Sequence, residues 1–352
     1  MQTEKTDIKS MNLNELKDFL VLEGCPSFRA VQIYKWLHQK NVCDFSEMSD
    51  IPLSLREKLE QKCFINNVKI KKRLVSAIDG TVKYLYEMAD GECVEGALMQ
   101  YKRGKSLCIS TQAGCRMGCK FCASTLGGLS RNLTAAEMLD EVYSAQLDCG
   151  EKIASLVLMG SGEPLDNFDN VMKFLEILSS ENGQNLSLRH VSLSTCGLVD
   201  KIKDLMKLKL QLTLSISLHA YNDNTRKEIM PIAQKWSIKE LMQACKEYFE
   251  YTGRRISFEY SLIDGVNDSA EDAGELAKLL KNSKGHVNLI PLNAVKEREY
   301  KRGSQNKIKT FQNILLKNGI NATVRRELGS DINAACGQLR RDNVLSKERE
   351  LQ

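Results

Sequence analysis

Three cysteines stand close together in the run Gly114-Cys115-Arg-Met-Gly-Cys119-Lys-Phe-Cys122-Ala, with three residues and then two between them. Thiolates at that spacing converge on one point only if the backbone loops around it, and Gly114 and Gly118 allow such a loop. A structural zinc ion takes four ligands, and no fourth Cys or His lies at finger spacing: Cys108 and Cys149 are out of pattern, and the next His along the chain is His190. Three thiolates suit a [4Fe–4S] cluster that keeps one iron open to an external ligand. The competing reading is three buried structural cysteines, which a Gly-containing loop after a strand disfavours.

Such a loop needs a scaffold. From Lys105 to Glu327 strand-like and helix-like stretches alternate, the signature of parallel βα units. Strands are expected near 105–111, 153–159, 188–195, 210–218, 255–263, 286–292 and 321–326. Among the helices between them, Thr134 to Cys149 opens with the capping box Thr134-Ala-Ala-Glu137, and another runs from Ser269 to Lys281. Six β-α units in a row close partly or wholly into a barrel or lie open as a doubly wound sheet, and periodicity does not choose between these. The first hundred residues differ. Leu13, Leu16, Phe19 and Leu20, then Phe28, Val31, Tyr34 and Leu37, then Leu53 to Leu59 after Pro52 predict three short helices. Alternating runs at Val68–Lys71, Thr81–Tyr86 and Cys93–Met99, split by Asp79-Gly80 and Asp90-Gly91, predict a β-meander.

The Cys-x3-Cys-x2-Cys run, with Phe121 just before Cys122, resembles the radical S-adenosylmethionine (SAM) enzymes. The resemblance implies a partial (β/α)6 barrel, a [4Fe–4S] cluster on Cys115, Cys119 and Cys122, and SAM bound through the open iron and cleaved to a 5′-deoxyadenosyl radical. SAM should then meet residues at the C-terminal strand ends. Glu163 and Pro164 of Gly162-Glu163-Pro164 follow the second strand, and Ser194 closes the third. Ser217, Leu218 and His219 close the fourth, and Asn293 of Pro291-Leu292-Asn293 the sixth. Alone, Ser194 is an ordinary strand-end hydroxyl and His219 a core histidine; together they mark one rim.

A narrower match lies on both sides of the loop. Cys108-Ile-Ser-Thr-Gln-Ala-Gly-Cys115, continuing to Arg131-Asn132-Leu133, and the distant run Arg325-Arg-Glu-Leu-Gly-Ser-Asp331-Ile-Asn-Ala-Ala-Cys336-Gly-Gln-Leu-Arg340 are similar to the RlmN family. These are dual-specificity adenine-C2 methyltransferases of 23S rRNA and tRNA, and the resemblance covers essentially the whole chain. Carbon 2 of adenine has no lone pair, so direct displacement on SAM does not reach it. The resemblance implies that one SAM methylates the Cys336 thiolate, that a second generates the radical that activates this S-methyl group, and that the methylene adds to carbon 2. Cys108 would then release the product through a transient Cys108–Cys336 disulfide, and Glu95 would accept the ring proton. It further implies substrates adenosine 2503 of 23S rRNA and adenosine 37 of tRNA, and an electron donor of flavodoxin type. The related Cfr family methylates carbon 8 of the same rRNA adenosine with the same five cysteines. Its Gly-Glu-Ala and Arg-Tyr-Asn segments differ from Gly162-Glu163-Pro164 and Pro291-Leu292-Asn293 here, which favours carbon 2. Ser161 departs from the usual Met before Gly-Glu-Pro. A non-catalytic Fe–S RNA-binding protein, the rival from another class, has no use for Cys336 or Gly-Glu-Pro.

Composition fits this frame. The 352 residues, 42% hydrophobic with 5 Pro and 22 Gly, exclude a disordered or fibrous chain. No apolar run is long enough to span a membrane and the N-terminus lacks an export pattern, so a cytoplasmic monomer is expected and the 12 cysteines are not a disulfide framework. Besides the five with roles, Cys25, Cys43, Cys63, Cys93, Cys149, Cys196 and Cys245 carry no motif and are expected to be buried or incidental. The net charge of +5 is mild, yet nine basic residues face two acidic ones between Lys301 and Arg341, and Lys69 to Lys105 holds a second basic run. Both suit RNA phosphates, although charge runs are more often solvated faces. We divide the chain into an N-terminal RNA-gripping helical module with meander (1–98), a barrel (99–335) and a catalytic-cysteine tail (336–352).

Overall fold

A computed structural model of the chain describes residues 5–293, 295–334 and 339–340. The N-terminal module begins with β1 (Thr6–Asp7), then α1 (Leu13–Leu22), α2 (Arg29–His38) and α3 (Leu53–Lys62), and ends on β2 (Cys63–Phe64), which pairs in parallel with β1. Asn12 starts α1 with a capping box to Glu15. The apolar positions read at helical spacing bury Leu16, Leu20, Tyr34, Leu37, Leu55 and Leu59. Phe28 does not follow: it precedes α2 and is exposed. The module is held to the barrel by a buried ion pair, Lys9 Nζ to Asp140 at 2.7 Å, with the Asn66 carbonyl as a second acceptor at 2.6 Å.

The meander is β3 (Lys69–Val75), β4 (Val82–Glu87) and β5 (Cys93–Tyr101), antiparallel and continued by β6 (Gly104–Ile109). After the short hairpin β7 (Gln112–Gly114) and β8 (Leu129–Asn132), helix α4 (Ala135–Cys149) starts from the capping box at Thr134 and ends on Gly150 in the left-handed conformation. The parallel strands then follow: β9 (Ser155–Leu158), β10 (Val191–Thr195), β11 (Thr213–Ser217), β12 (Ile256–Leu262), β13 (His286–Pro291) and β14 (Ala322–Val324). They are connected by α5 (Phe168–Ser179), α6 (Val199–Lys207), α7 (Asp223–Ile229) with α8 (Ile238–Thr252), α9 (Ala270–Leu280) and α10 (Gln305–Lys317).

One ten-stranded sheet results, in the order β14-β13-β12-β11-β10-β9-β6-β5-β4-β3. Its parallel part, from β6 through β9 to β14, contains six β-α units and a closing strand, the expected (β/α)6 arrangement. Among the described residues the sheet is open, with β14 and β3 at its edges. The meander is part of this sheet, since β5 pairs with β4 on one side and with β6 on the other. A division at residue 98 therefore passes through the middle of β5. The strand centres match the sequence reading, but 188–190 is a 3-10 turn before β10.

Candidate active site

The cysteine loop is fastened where it leaves and re-enters the barrel. Gly114, at φ +86°, allows the Cys115 amide to donate to the Gly128 carbonyl at 2.9 Å, and a Cβ on Gly114 would lie 2.1 Å from that oxygen. The Thr125 hydroxyl donates to the carbonyls of Cys119 and Cys122 at 3.0 Å each, and the Lys120 amide to Ile229 at 2.9 Å. Arg116 grips Asp166 with two nitrogens at 2.5 and 2.9 Å. Ser161, the departure from the usual Met, puts its hydroxyl 3.4 Å from the Gly114 carbonyl and ties the two segments together.

Cys115, Cys119 and Cys122 line a cavity of about 220 Å³ together with Glu163, Pro164, Ser194, Ser217 and His219, which occupy the C-terminal strand ends as expected. Burial pushes the Cys115 thiol up to about 12. Glu163 caps a short 3-10 turn begun by Pro164 and is buried. Its carboxylate accepts from the Cys196 amide at 2.7 Å and the Leu165 amide at 3.0 Å. Burial nonetheless raises its pKa, with those amides opposing. Ser194 and Ser217 lie with their hydroxyls 3.5 Å apart. His219 has φ +55°, and its Nδ1 accepts the Ser261 amide at 2.9 Å. Burial, with Arg226 nearby, lowers the His219 pKa to about 3, so the ring is neutral with its hydrogen on Nε2. Leu218 differs from its neighbours in that its side chain is fully buried in the core and does not line the cavity, turned away from Ser217. Asn293 faces a second, larger chamber.

That chamber, about 760 Å³, opens beside the first across Phe121, Cys122, Met159 and Arg325, which line both. Glu95 on β5 and Cys108 on β6 share its wall. Gly96 is required there: a Cβ would meet the Tyr86 ring at 2.7 Å and the Cys108 carbonyl at 3.1 Å. The Cys108 thiol is pushed up to about 11, chiefly by burial, with the Arg325 guanidinium pulling down. Glu95, 8% exposed, pairs with Lys83 at 2.7 Å and accepts the Arg340 amide at 2.5 Å. Burial raises its pKa against the pull of Lys83 and Arg340, so it is a better proton acceptor than an ordinary carboxylate.

Cys336 lies outside the described residues. On one side of it, Lys83 Nζ donates to the Asn333 carbonyl at 2.8 Å; on the other, Arg340 Nε donates to the Cys93 carbonyl at 2.7 Å. Farther back, Asp331 accepts from the Ser76 hydroxyl at 2.6 Å and the Ala77 amide at 2.9 Å. The described residues on either side of Cys336 are thus bonded to β4, β5 and the loop before them. Among the described residues no disulfide is present.

A family profile described as the radical SAM superfamily matches residues 109–280, and one described as the ribosomal RNA large subunit methyltransferase N-terminal domain matches residues 6–65. A probable dual-specificity RNA methyltransferase RlmN from Lachnoclostridium phytofermentans is 54% identical over 96% of this chain and 95% of its own. One of the same name from Clostridium perfringens is 54% identical over 97% of this chain and 98% of its own. The chain belongs to the RlmN family of radical SAM RNA methyltransferases. A crystal structure of a radical SAM methyltransferase from Sphaerobacter thermophilus, 40% identical, superposes with a TM-score of 0.89 over 95% of this chain and 98% of its own.

The cofactors of this RlmN-family enzyme are a [4Fe–4S] cluster and SAM. The donor set fits them: three cysteine thiols face one cavity with a buried carboxylate and two hydroxyls. Among the described residues, no three His, Cys, Asp or Glu side chains gather as they would around a single metal ion. A cluster differs in spreading its thiolates over separate irons. Several residues of the site carried no sequence signal. Cys196, read as a buried or incidental thiol, is buried, lines the cluster cavity and gives its amide to Glu163. Gln112 bridges the Glu163 amide, Asn132 and Asp166, and Lys83 pairs with Glu95. An isolated Gln or Lys in a strand has no spacing to read. Arg325 sat inside the C-terminal motif and was open to notice.

Proposed function

We propose that this enzyme methylates carbon 2 of adenosine in RNA, at adenosine 2503 of 23S rRNA and adenosine 37 of tRNAs, with Cys336 as the methyl carrier. The observation that carries this reading is that Glu95 and Cys108 share one chamber wall while both described flanks of Cys336 are bonded to the Lys83–Glu95 pair and its strand. When bound, the cluster and SAM supply an electron and a carbon radical able to remove a hydrogen atom from a methyl group. The chain's residues do the rest. The Cys336 thiolate first takes a methyl group by displacement, and after hydrogen abstraction its S–CH2 carbon bonds to carbon 2. The adduct's unpaired electron would return to the cluster, left oxidised by the cleavage of SAM, and its ring proton passes to Glu95, whose basicity burial raises. The Cys108 thiolate then attacks the Cys336 sulfur. A sulfur–sulfur bond forms, the sulfur–carbon bond breaks, and the carbon keeps the pair and takes a proton as the new methyl group.

The Cys108–Cys336 disulfide must be reduced before the next turnover, which a reducing cytoplasm supports. Among the described residues no helix is long and apolar enough to cross a membrane. A flavodoxin-type electron donor and a monomeric state complete the reading. Mass spectrometry of nucleosides from 23S rRNA and tRNA, with and without the protein, tests it. We expect 2-methyladenosine to depend on the protein, whereas 8-methyladenosine in its place would move the chain to Cfr chemistry.

A further inference from the structure

Alternate residues of a strand face the same way, so Glu95, Ala97, Met99 and Tyr101 of β5 form one row, and all four line the 760 Å³ chamber. The row begins at the reacting end, where Ala97 lies opposite Cys108 in the β5–β6 pairing. It ends at the rim: Met99 is 8% exposed and Tyr101 is 43% exposed. At about 3.4 Å per residue, the Tyr101 position is about 20 Å from Glu95 along the strand. That is the length of a few nucleotides, too far for the target base and suited to one of its neighbours.

The chemistry of the rim is specific. Tyr101 opens the tight turn Tyr101-Lys102-Arg103-Gly104 that joins β5 to β6, with Gly104 at φ +111°. Lys102 and Arg103 are exposed beside it. Arg326, and Arg302 in its ion pair with Glu327, line the same chamber. An accessible aromatic face flanked by cations, on a groove that leads to the reacting groups, is the combination that holds single-stranded nucleic acid: a base stacks on the ring and the cations meet the phosphates. The Tyr101 hydroxyl lies 3.9 Å from the Met99 sulfur, which holds the half-exposed ring along the chamber wall.

We propose that Tyr101, with Lys102 and Arg103, forms a stacking subsite for an unpaired nucleotide that flanks the target adenosine. This rests on the RNA-methylation reading above and adds how the strand is held. Stacking of this kind is sequence-tolerant, since every base has a π face, and so serves an enzyme that accepts both an rRNA and tRNAs.

The test uses the full-length, cluster-reconstituted enzyme with an RNA stem-loop bearing the target adenosine, and dithionite as the reductant so that no protein donor is needed. Tyr101→Ala, at an exposed position, keeps its iron, and we expect its KM for RNA to rise about 5- to 100-fold with kcat nearly unchanged. Tyr101→Phe restores the wild-type KM because the ring remains. Lys102→Ala with Arg103→Ala raises KM and makes log KM less steep in log salt, by about 0.7 for each phosphate that is no longer neutralised. A wild-type KM in Tyr101→Ala, in an enzyme that does methylate RNA, overturns the subsite alone. So does a defect present with flavodoxin but absent with dithionite, which would assign the basic tip to an acidic electron donor. If the wild-type enzyme methylates no RNA, the functional reading falls first and takes the subsite with it.

Discussion

The cluster loop and the chamber face around Glu95 are built in opposite ways. The loop is local: its three cysteines lie within 115–122, and the hairpin that encloses it spans only 112–132. Its carbonyls are tied by Thr125 from within the same stretch. The Glu95 face is assembled from distant pieces. Lys83 comes from β4, Glu95 from β5 and Cys108 from β6, while Asn333 and Arg340 arrive about 250 residues later in the chain. The local motif carries most of its shape in bonds within its own stretch, with ties to Ser161, Asp166 and Ile229 anchoring it to the barrel. A composite face depends on each docking contact, and residues remote from the chemistry share control of it.

The largest predicted effect falls on the local region. Cys119→Ala removes one of the three thiolates of the loop, and iron analysis after anaerobic reconstitution should find the cluster lost and methylation abolished. Retention of a full cluster would sink the assignment. On the composite face, Lys83→Met leaves the buried Glu95 carboxylate without its ammonium partner, and breaking such a pair costs about 3–5 kcal/mol. Thermal unfolding should show a large fall in Tm, with the iron content of the folded fraction intact. Gly96→Ala should cost about 1–3 kcal/mol, because its Cβ would have to displace the Tyr86 ring and crowd the Cys108 carbonyl.

Next in size is a pH effect. The Cys108 thiol is raised to about 11, so at neutral pH it is protonated, and its thiolate fraction grows about tenfold per pH unit below that value. Single-turnover release of methylated RNA should therefore speed up from pH 7 to pH 9; a flat profile would show that Cys108 attack does not limit release. The smallest effect is expected from Asp331→Ala, which removes two bonds that dock the C-terminal segment to Ser76 and Ala77. It should slow methylation several-fold while leaving the cluster spectrum unchanged.

The same contrast governs what could be read in the sequence. The capping box at Thr134, the helical stretch read from Ser269 and the alternation of strands and helices are local signals, and the helices α4 and α9 start where those signals stand. Cys115, Cys119, Cys122, Glu163, Ser194 and Ser217 were legible for the same reason, since each lies at or shortly after the C-terminal end of a strand. Leu218, next to Ser217 in the sequence, turns its side chain to the opposite face and into the core. The union of the meander with the barrel sheet was not legible, because antiparallel pairing of β5 with β6 leaves no mark beyond a turn at Lys102-Arg103. Nor was the partnership of Lys83 with Glu95, which meet diagonally across the β4–β5 register, where Lys83 is opposite Ala97 and Glu95 opposite Leu85.

The measurement that bears most directly on the composite face is the fate of RNA in a Cys108→Ala enzyme supplied with SAM and reductant. Without the resolving thiolate, the Cys336–RNA bond has no route to cleavage, and gel electrophoresis with peptide mass spectrometry should find protein covalently attached to RNA through Cys336. Release of methylated RNA at the wild-type rate, with no adduct, would contradict the account.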